Sequence, residues 1–221
     1  MDDARFTAGI LSLIDASRFL EVPRQTFHRW ARGYERGEPL LHVLEVQGRR
    51  QAAVTFIALA EAHVLNALRD AGVRPHRIRP ALQVLQKEFG RDYVLTAPEL
   101  ATDGIDVLWD FSRTRDGSGL IEGHTGQGVM REIVQDYMQY VSWDADGFPD
   151  RLTFRRCEPS KVVSEVDHVF GQPRFAGSRV RVSDVAAMLS AGENPEVVAD
   201  EFGVSQTDVR TAARVLLGRA A

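Results

Sequence analysis

The sequence predicts a mainly α-helical protein with small β elements, of the α+β class. Three observations carry this. Apolar residues recur at helical spacing over most of residues 10–90, as in Leu13, Ala16, Phe19 and Leu20. Residues 93–155 break into short extended runs around one helix, and the last forty residues read as three helices separated by glycine-containing turns. With 221 residues and 44% hydrophobic content, the chain has enough apolar surface for two or three small cores.

From the N-terminus, the first helix ends at Glu21-Val22-Pro23, where Pro23 suits the first turn of a second helix. In that second helix Phe27, Trp30, Ala31 and Tyr34 form an inward stripe, and Arg24, Gln25, His28, Arg29, Arg32 and Arg36 fill the remaining faces. Gly33 and Gly37 close it. Residues 40–46 and 51–55 then read as two strands around Gln47-Gly48 and Arg49-Arg50, a hairpin wing tipped with arginine. Thr55 can cap a helix over 56–71, which Gly72 ends, and a further helix over 75–89 stops at Gly90.

The central region predicts strands over 93–95 and 105–111, a helix over 129–140, a strand over 141–143, a turn at Asp144-Ala145-Asp146-Gly147 and a strand over 151–155. Glu158-Pro159-Ser160 reads as a linker. Beyond it, 162–169 and 174–182 are extended around Gly171, Pro173 and Gly177, forming a hairpin. Helices over 183–191, 195–202 and 206–217 complete a C-terminal three-helix unit resembling a helix-turn-helix. The segments are therefore 1–92, 93–160 and 161–221.

Composition narrows the function classes. Lys and Arg number 27 against 31 Asp and Glu, a formal charge of -4, but the charge is unevenly spread. Residues 1–95 hold 14 basic and 11 acidic groups (+3), leaving 13 and 20 (-7) for the rest. Only Lys87 and Lys161 are lysines, so nearly every cation is a forked guanidinium suited to phosphates and guanine edges. The single Cys157 excludes an intrachain disulfide and a four-thiolate zinc site and points to a reducing compartment or to no redox role at all. An acidic N-terminus and the absence of an eighteen-residue apolar run predict a cytoplasmic protein without a membrane span. The six histidines, at 28, 42, 63, 76, 124 and 168, show no metal-ligand spacing and read as structural or surface groups. In the glycine-rich run 117–123 the third glycine of a nucleotide fingerprint would fall on Glu122. No enzyme, cofactor or metal site is expected.

A recognition helix must place several hydrogen-bonding side chains opposite its core stripe. Arg24, Gln25, Thr26, His28 and Arg29 meet that demand, and Arg32, Arg36, Arg49 and Arg50 can reach phosphates. The plain alternative is a solvated basic face on a helical hairpin. The passage IDASRFLEVPRQTFHRWARGY, with the arginine-tipped wing and LAEAHVLNALRDAGVRPHRIRPALQVL, resembles the winged helix-turn-helix of the MerR-like DNA-binding family over residues 12–90. The resemblance implies that residues 24–32 read the groove, that Arg49 and Arg50 sit on the wing, and that a homodimer spans two half-sites. One departure is Glu21, which stands where such turns usually carry glycine. A second is the absence of a heptad repeat for a dimerising coiled coil.

The C-terminal helices carry Glu193, Glu196, Asp200, Glu201 and Asp208, which would repel phosphates. The passage GQPRFAGSRVRV leading into AGENPEVVADEFGVS, within 162–218, resembles a small antitoxin domain, formerly of unknown function, encoded beside PIN-like toxins. With TDGIDVLWDF at the centre, the whole chain resembles a VapB-type antitoxin. This implies two partners, a PIN-like ribonuclease toxin and operator DNA. Because such toxins gather carboxylates around a divalent metal, Arg174, Arg179 and Arg181 on the hairpin are candidate toxin contacts, with ordinary surface arginines as the plain alternative. The sequence closes on LLGRAA, so contact is expected from a folded surface. Two rivals remain: a ligand-responsive MerR-like regulator with an apolar pocket in the centre, and a catalytic domain within 93–160.

Overall fold

The computed structural model describes residues 3–33, 38–48, 51–121 and 126–218. In chain order these residues form α1 (Ala4–Thr7), β1 (Gly9–Leu11), α2 (Leu13–Phe19), α3 (Arg24–Arg32), β2 (Val54–Thr55), α4 (Phe56–Asp70) and α5 (Arg79–Phe89). There follow α6 (Asp103–Ser112), α7 (Gln127–Met138), β3 (Val141–Trp143), β4 (Pro149–Thr153), β5 (Val162–Glu165), β6 (Arg174–Phe175), α8 (Val182–Ala191), α9 (Pro195–Phe202) and α10 (Gln206–Ala212). This is the mainly α, small-β class that the periodicities predict. The chain folds into two compact units, one of residues 1–24, 44–56 and 151–221, the other of 25–43 and 57–150. The first draws on all three segments 1–92, 93–160 and 161–221, the second on 1–92 and 93–160.

In the first unit β1 pairs antiparallel with β2, Gly9 opposite Thr55 and Leu11 opposite Val54. Gly9 is required there, because a Cβ would lie 2.0 Å from the Ala52 carbonyl oxygen. The expected wing ladder between 40–46 and 51–55 is replaced by this pairing. Of the wing, the Leu44 N–H donates to the Ala53 carbonyl (2.8 Å) between the two runs, and Arg49 and Arg50 lie outside the described residues. α2 starts at Ser12, whose Oγ accepts from the Asp15 N–H (3.1 Å) while its hydroxyl donates to the Asp15 carboxylate (2.7 Å).

Also in this unit, β4, β5 and β6 form an antiparallel ladder, with Arg151 opposite Glu165, Leu152 opposite Ser164 and Val162 opposite Phe175. α8, α9 and α10 follow as the sequence predicts. Gly192 (φ 99°) and Gly203 (φ 61°) end the first two, while Asn194 and Ser205 cap the starts of the last two. The chain continues helically beyond α10 as a wider π turn over Ala213–Leu217, which packs on α2. The segment Glu158-Pro159-Ser160 is docked rather than a free linker. Ser160 is buried, its hydroxyl 2.9 Å from that of Thr211, and Arg214 donates to the carbonyls of Arg156 (3.0 Å) and Glu158 (3.3 Å). The Phe19 and Phe154 rings meet at 5.1 Å.

The second unit is organised by α4, whose residues Ile57 to Leu68 are all buried, consistent with a core helix rather than an amphipathic surface one. Ala58, Ala60, Ala62 and Ala67 keep its cross-section small, and α5 packs on α6 and α6 on α7. Two strand expectations are corrected here. Residues 94 and 95 fall in a 3-10 turn, Val94–Thr96, which Tyr93 precedes, and 105–111 lie in α6. The β-rich composition of IDVLWDF suggested a strand, but Ile105 and Leu108 are the buried pair at i and i+3, and Asp103 and Asp106 favour the helix N-terminus. Trp143 on β3 donates its indole N–H to the Thr96 carbonyl (2.8 Å).

Candidate nucleic-acid interface and partner surface

The turn between α2 and α3 is built on an unusual residue. Glu21 adopts φ 49°, the left-handed region, and its N–H donates to the Arg18 carbonyl (3.2 Å) while the Val22 N–H donates to that of Ser17 (2.9 Å). These two bonds are those of a Schellman motif, in which the left-handed residue is ordinarily glycine. The departure noted in the sequence is thus accommodated: the glycine conformation is present with a glutamate in it. The Glu21 carboxylate then lies 3.7 Å from Arg156 and 3.8 Å from Arg214.

α3 buries Phe27, Trp30 and Ala31 completely, with the two aromatic rings 6.4 Å apart. The Arg69 guanidinium lies over the Trp30 ring at 5.9 Å, and the Trp30 carbonyl accepts from the N–H groups of Leu40 (2.8 Å) and Leu41 (3.2 Å). These contacts fix the rotation of the helix. Arg24, Gln25, His28, Arg29 and Arg32 are exposed as a result, and Thr26 is half-buried. None of the five exposed side chains has a hydrogen-bond or ion-pair partner among the described residues. Gln25, His28, Arg29 and Arg32 share one face at i, i+3, i+4 and i+7, a stripe about 10 Å long at 1.5 Å per residue. That length matches roughly three base-pair steps of 3.4 Å. Tyr34 and Arg36 fall outside the described residues.

The three hairpin arginines differ in their surroundings. Arg174 is buried: it pairs with Glu165 and donates to the Ser178 carbonyl (2.7 Å), so it braces the hairpin from inside. Arg179 is exposed. Arg181 is half-exposed and binds the Asp184 carboxylate (2.7 Å) and the Gln172 side-chain oxygen (3.1 Å). Among the acids of α9 and α10, Glu196, Asp200 and Glu201 are exposed, as is Glu193 just before α9. Asp208 instead completes a capping box with Ser205.

Sequence reasoning passed over one polar cluster in the second unit. Glu61, on α4, is 1% exposed and accepts from the His42 backbone N–H (2.9 Å) and from the His42 ring nitrogen Nδ1 (2.6 Å). That hydrogen bond holds His42 above its usual pKa of 6.5, against the opposing effect of burial. The Tyr93 ring lies 4.4 Å from the imidazole. The signal was a single acid in the apolar run FIALAEAHVL, which must find a partner when buried. The cluster opens on a cavity of about 70 Å³, lined among others by Arg79, Gln83, Gln86 and Asp92. Among the described residues no group of three or more His, Cys, Asp or Glu is placed to hold a metal ion. No helix among them is long and apolar enough to cross a membrane.

Comparison with known proteins places these features in a family. Residues 10–82 match the family described as "Putative DNA-binding HTH domain", and residues 162–214 match "Protein of unknown function (DUF433)". The chain is 39% identical to "Putative antitoxin VapB45" of Mycobacterium tuberculosis, covering 95% of both sequences. It belongs to the VapB45-like antitoxin family. A second relative, "Uncharacterized protein Rv2308" of the same organism, is 26% identical over 90% of this chain and 86% of its own length. The X-ray crystal structure of Rv2018 from Mycobacterium tuberculosis superposes with a TM-score of 0.74 at 38% identity, covering 94% of this chain and 99% of that one. For a VapB45-like antitoxin, the order is a DNA-binding helix-turn-helix first and the small C-terminal domain last. α2 and α3 lie within the first match, and β5 to α10 within the second.

Proposed function

We propose that this VapB45-like chain is a non-enzymatic antitoxin that neutralises a PIN-like ribonuclease toxin by direct binding and represses its own operon as a cytoplasmic homodimer. The observation that carries the DNA half is the exposed stripe on α3. Its guanidinium and amide groups are without internal partners, in a helix whose opposite face is locked by Phe27 and Trp30. Arginine and glutamine in that position pair with guanine and adenine edges, each bidentate contact contributing about 1–3 kcal/mol of discrimination. Arg49 and Arg50, carried from the family resemblance, would supply phosphate contacts.

The toxin half rests on the VapB45 name of the relative and on the charge division within the C-terminal segment. The acidic α9 surface disfavours a second DNA site. Arg179 and Arg181 remain toxin-contact candidates, and Arg174 acts behind them as an internal strut.

Expression of the neighbouring reading frame, alone and with this protein, tests the toxin half: a harmless neighbour would sink it. Gel shifts on the upstream region test the DNA half. Arg24→Ala and Arg29→Ala should lose sequence-specific binding, whereas loss of Arg49 or Arg50 should reduce the log–log salt slope by about one each. Charge reversal at Arg179 and Arg181 should weaken co-purification with the neighbouring product, and mass measurement should return a dimer.

A further inference from the structure

Within the second unit, the contact between Glu61 and His42 reaches as far as the recognition helix. Glu61 is the one acid in the buried run of α4, between the fully buried Ala60 and Ala62. A carboxylate taken out of water has to be met by donors. Both of its oxygens engage one residue: Oε2 accepts from the His42 backbone N–H (2.9 Å), and Oε1 stands 2.6 Å from the ring nitrogen Nδ1. The His42 side chain is 52% exposed against 1% for Glu61. The imidazole therefore exchanges its proton with solvent while the carboxylate that it grips stays inside.

His42 ends the segment that holds α3. The two residues before it, Leu40 and Leu41, are buried, and their N–H groups both donate to the Trp30 carbonyl (2.8 and 3.2 Å). That carbonyl belongs to the last turn of α3, where carbonyls look outside the helix for donors. The path from α4 to α3 is thus two hydrogen-bonded steps long, from Glu61 to His42 and from residues 40–41 to Trp30. Arg79 of α5 tethers the start of the same segment, donating to the carbonyls of Glu38 (2.7 Å) and Pro39 and meeting the Glu38 carboxylate (3.4 Å). Arg32, the last residue of the exposed stripe, lies two residues beyond Trp30, so a change in the hold on that carbonyl reaches the stripe directly.

We propose that Glu61 is a positioning residue for operator recognition: through His42 and residues 40–41 it sets the end of α3, so that operator affinity follows the charge on the imidazole. This rests on the DNA-binding reading of α3 and adds a determinant that does not itself touch DNA. The imidazolium donates to the carboxylate in a charge-assisted bond, about twice as strong as the neutral one that remains when the proton leaves. The groups facing His42 are Glu61 from α4, Arg79 from α5, and Asp92 and Tyr93 from the segment after α5. The bond to Glu61 favours the charged ring most and Asp92 adds to it, while burial and Arg79 oppose it. Operator binding is therefore tightest with the ring charged and weakens as pH rises through its titration.

The test titrates full-length wild type, Glu61→Gln and His42→Asn onto a labelled duplex of the upstream region by fluorescence anisotropy, at fixed salt and from about pH 6 to about pH 8.5. Wild-type affinity should fall about fivefold or more across that range, the lower end of an ordinary coupling between sites. His42→Asn keeps an amide donor where Nδ1 stands and does not titrate, so its affinity should stay level, near the wild-type value at high pH. Glu61→Gln should bind more weakly than wild type at low pH and lose the same slope. Should Glu61→Gln fail to fold, His42→Asn, altered at a half-exposed side chain, carries the comparison. The Trp30 indole N–H resonance should move with the His42 titration in wild type and stay still in His42→Asn, a response that a purely local pair would not give. An equal slope in all three proteins would assign the pH dependence to His28 on the exposed face of α3 and overturn the positioning role, as would a Trp30 resonance indifferent to His42. Failure of the wild type to bind the duplex at any pH would overturn the DNA-binding reading itself, and the positioning role with it.

Discussion

The carboxylate of Glu21 lies 3.8 Å from the guanidinium of Arg214, so the turn after α2 touches the last helical turn of the C-terminal segment. The two residues contribute unequally. Glu21 stands in a left-handed conformation that costs a non-glycine residue about 1–2 kcal/mol, and its ion pairs are partly exposed and worth well under about 1 kcal/mol. Arg214 also satisfies the carbonyls of Arg156 and Glu158. Glu21→Gly should therefore unfold in urea within about 0.5 kcal/mol of wild type or above it, since relief of strain offsets the lost pairs and the added chain entropy. Arg214→Ala should lose about 1–2 kcal/mol at unchanged m-value. A Glu21→Gly loss exceeding that of Arg214→Ala would mean that the carboxylate, not the backbone, governs the turn.

Trp30 gives a second prediction. Its side chain is fully buried, yet its indole N–H has no acceptor among the described residues. Trp30→Phe removes that unsatisfied donor along with some volume, so the two effects oppose and the cost should be about 1 kcal/mol or less. Trp30→Ala leaves a cavity beneath α3 and should cost about 3–5 kcal/mol. Operator binding under folded conditions should survive the first and fail in the second. Equal losses would show that the indole nitrogen has a partner after all.

What could be read from the sequence follows from how local each signal is. The three C-terminal helices were legible because Gly192, Gly203, Asn194 and Ser205 are stop and start signals acting over four or five residues. The exposed stripe of α3 was legible because Phe27, Trp30 and Ala31 fix the opposite face by spacing alone. The partner of β2 was not, because β1 lies more than forty residues earlier and the only hint was a glycine at position 9. The α6 segment misled because Ile, Val, Leu, Trp and Phe favour strands until packing on α5 and α7 decides. The Glu61–His42 pair has no linear motif.

Cys157 should be chemically silent in the folded protein. It is fully buried, and desolvation pushes its thiol up to about 12, with Arg214 nearby only partly opposing this. At pH 8 that leaves about one thiolate in ten thousand, behind a closed surface. Reaction with an aromatic disulfide reagent should therefore proceed only through unfolding and accelerate across the urea transition. A fast stoichiometric reaction in native buffer would contradict the burial.

The His42–Glu61 pair sets a pH dependence whose sign follows from the direction of the shift. Hydrogen bonding to Glu61 raises the folded pKa of His42 above 6.5, helped by Asp92 and opposed by burial and by Arg79, while the Tyr93 ring covers one side. The folded state therefore binds the imidazole proton more tightly than the unfolded chain does. The stabilisation is fully present below pH 6.5 and is lost as pH rises through the raised folded value. Urea stability should fall over that interval in the wild type, and Glu61→Gln should flatten the fall. The His42 ring proton should titrate above 6.5 by NMR in the wild type and move down in the variant. A wild-type midpoint at or below 6.5 would rule out a charged pair. Removing the imidazole alone, as in His42→Ala, leaves a buried carboxylate with only a backbone donor and should cost about 1–3 kcal/mol, most strongly at pH 6.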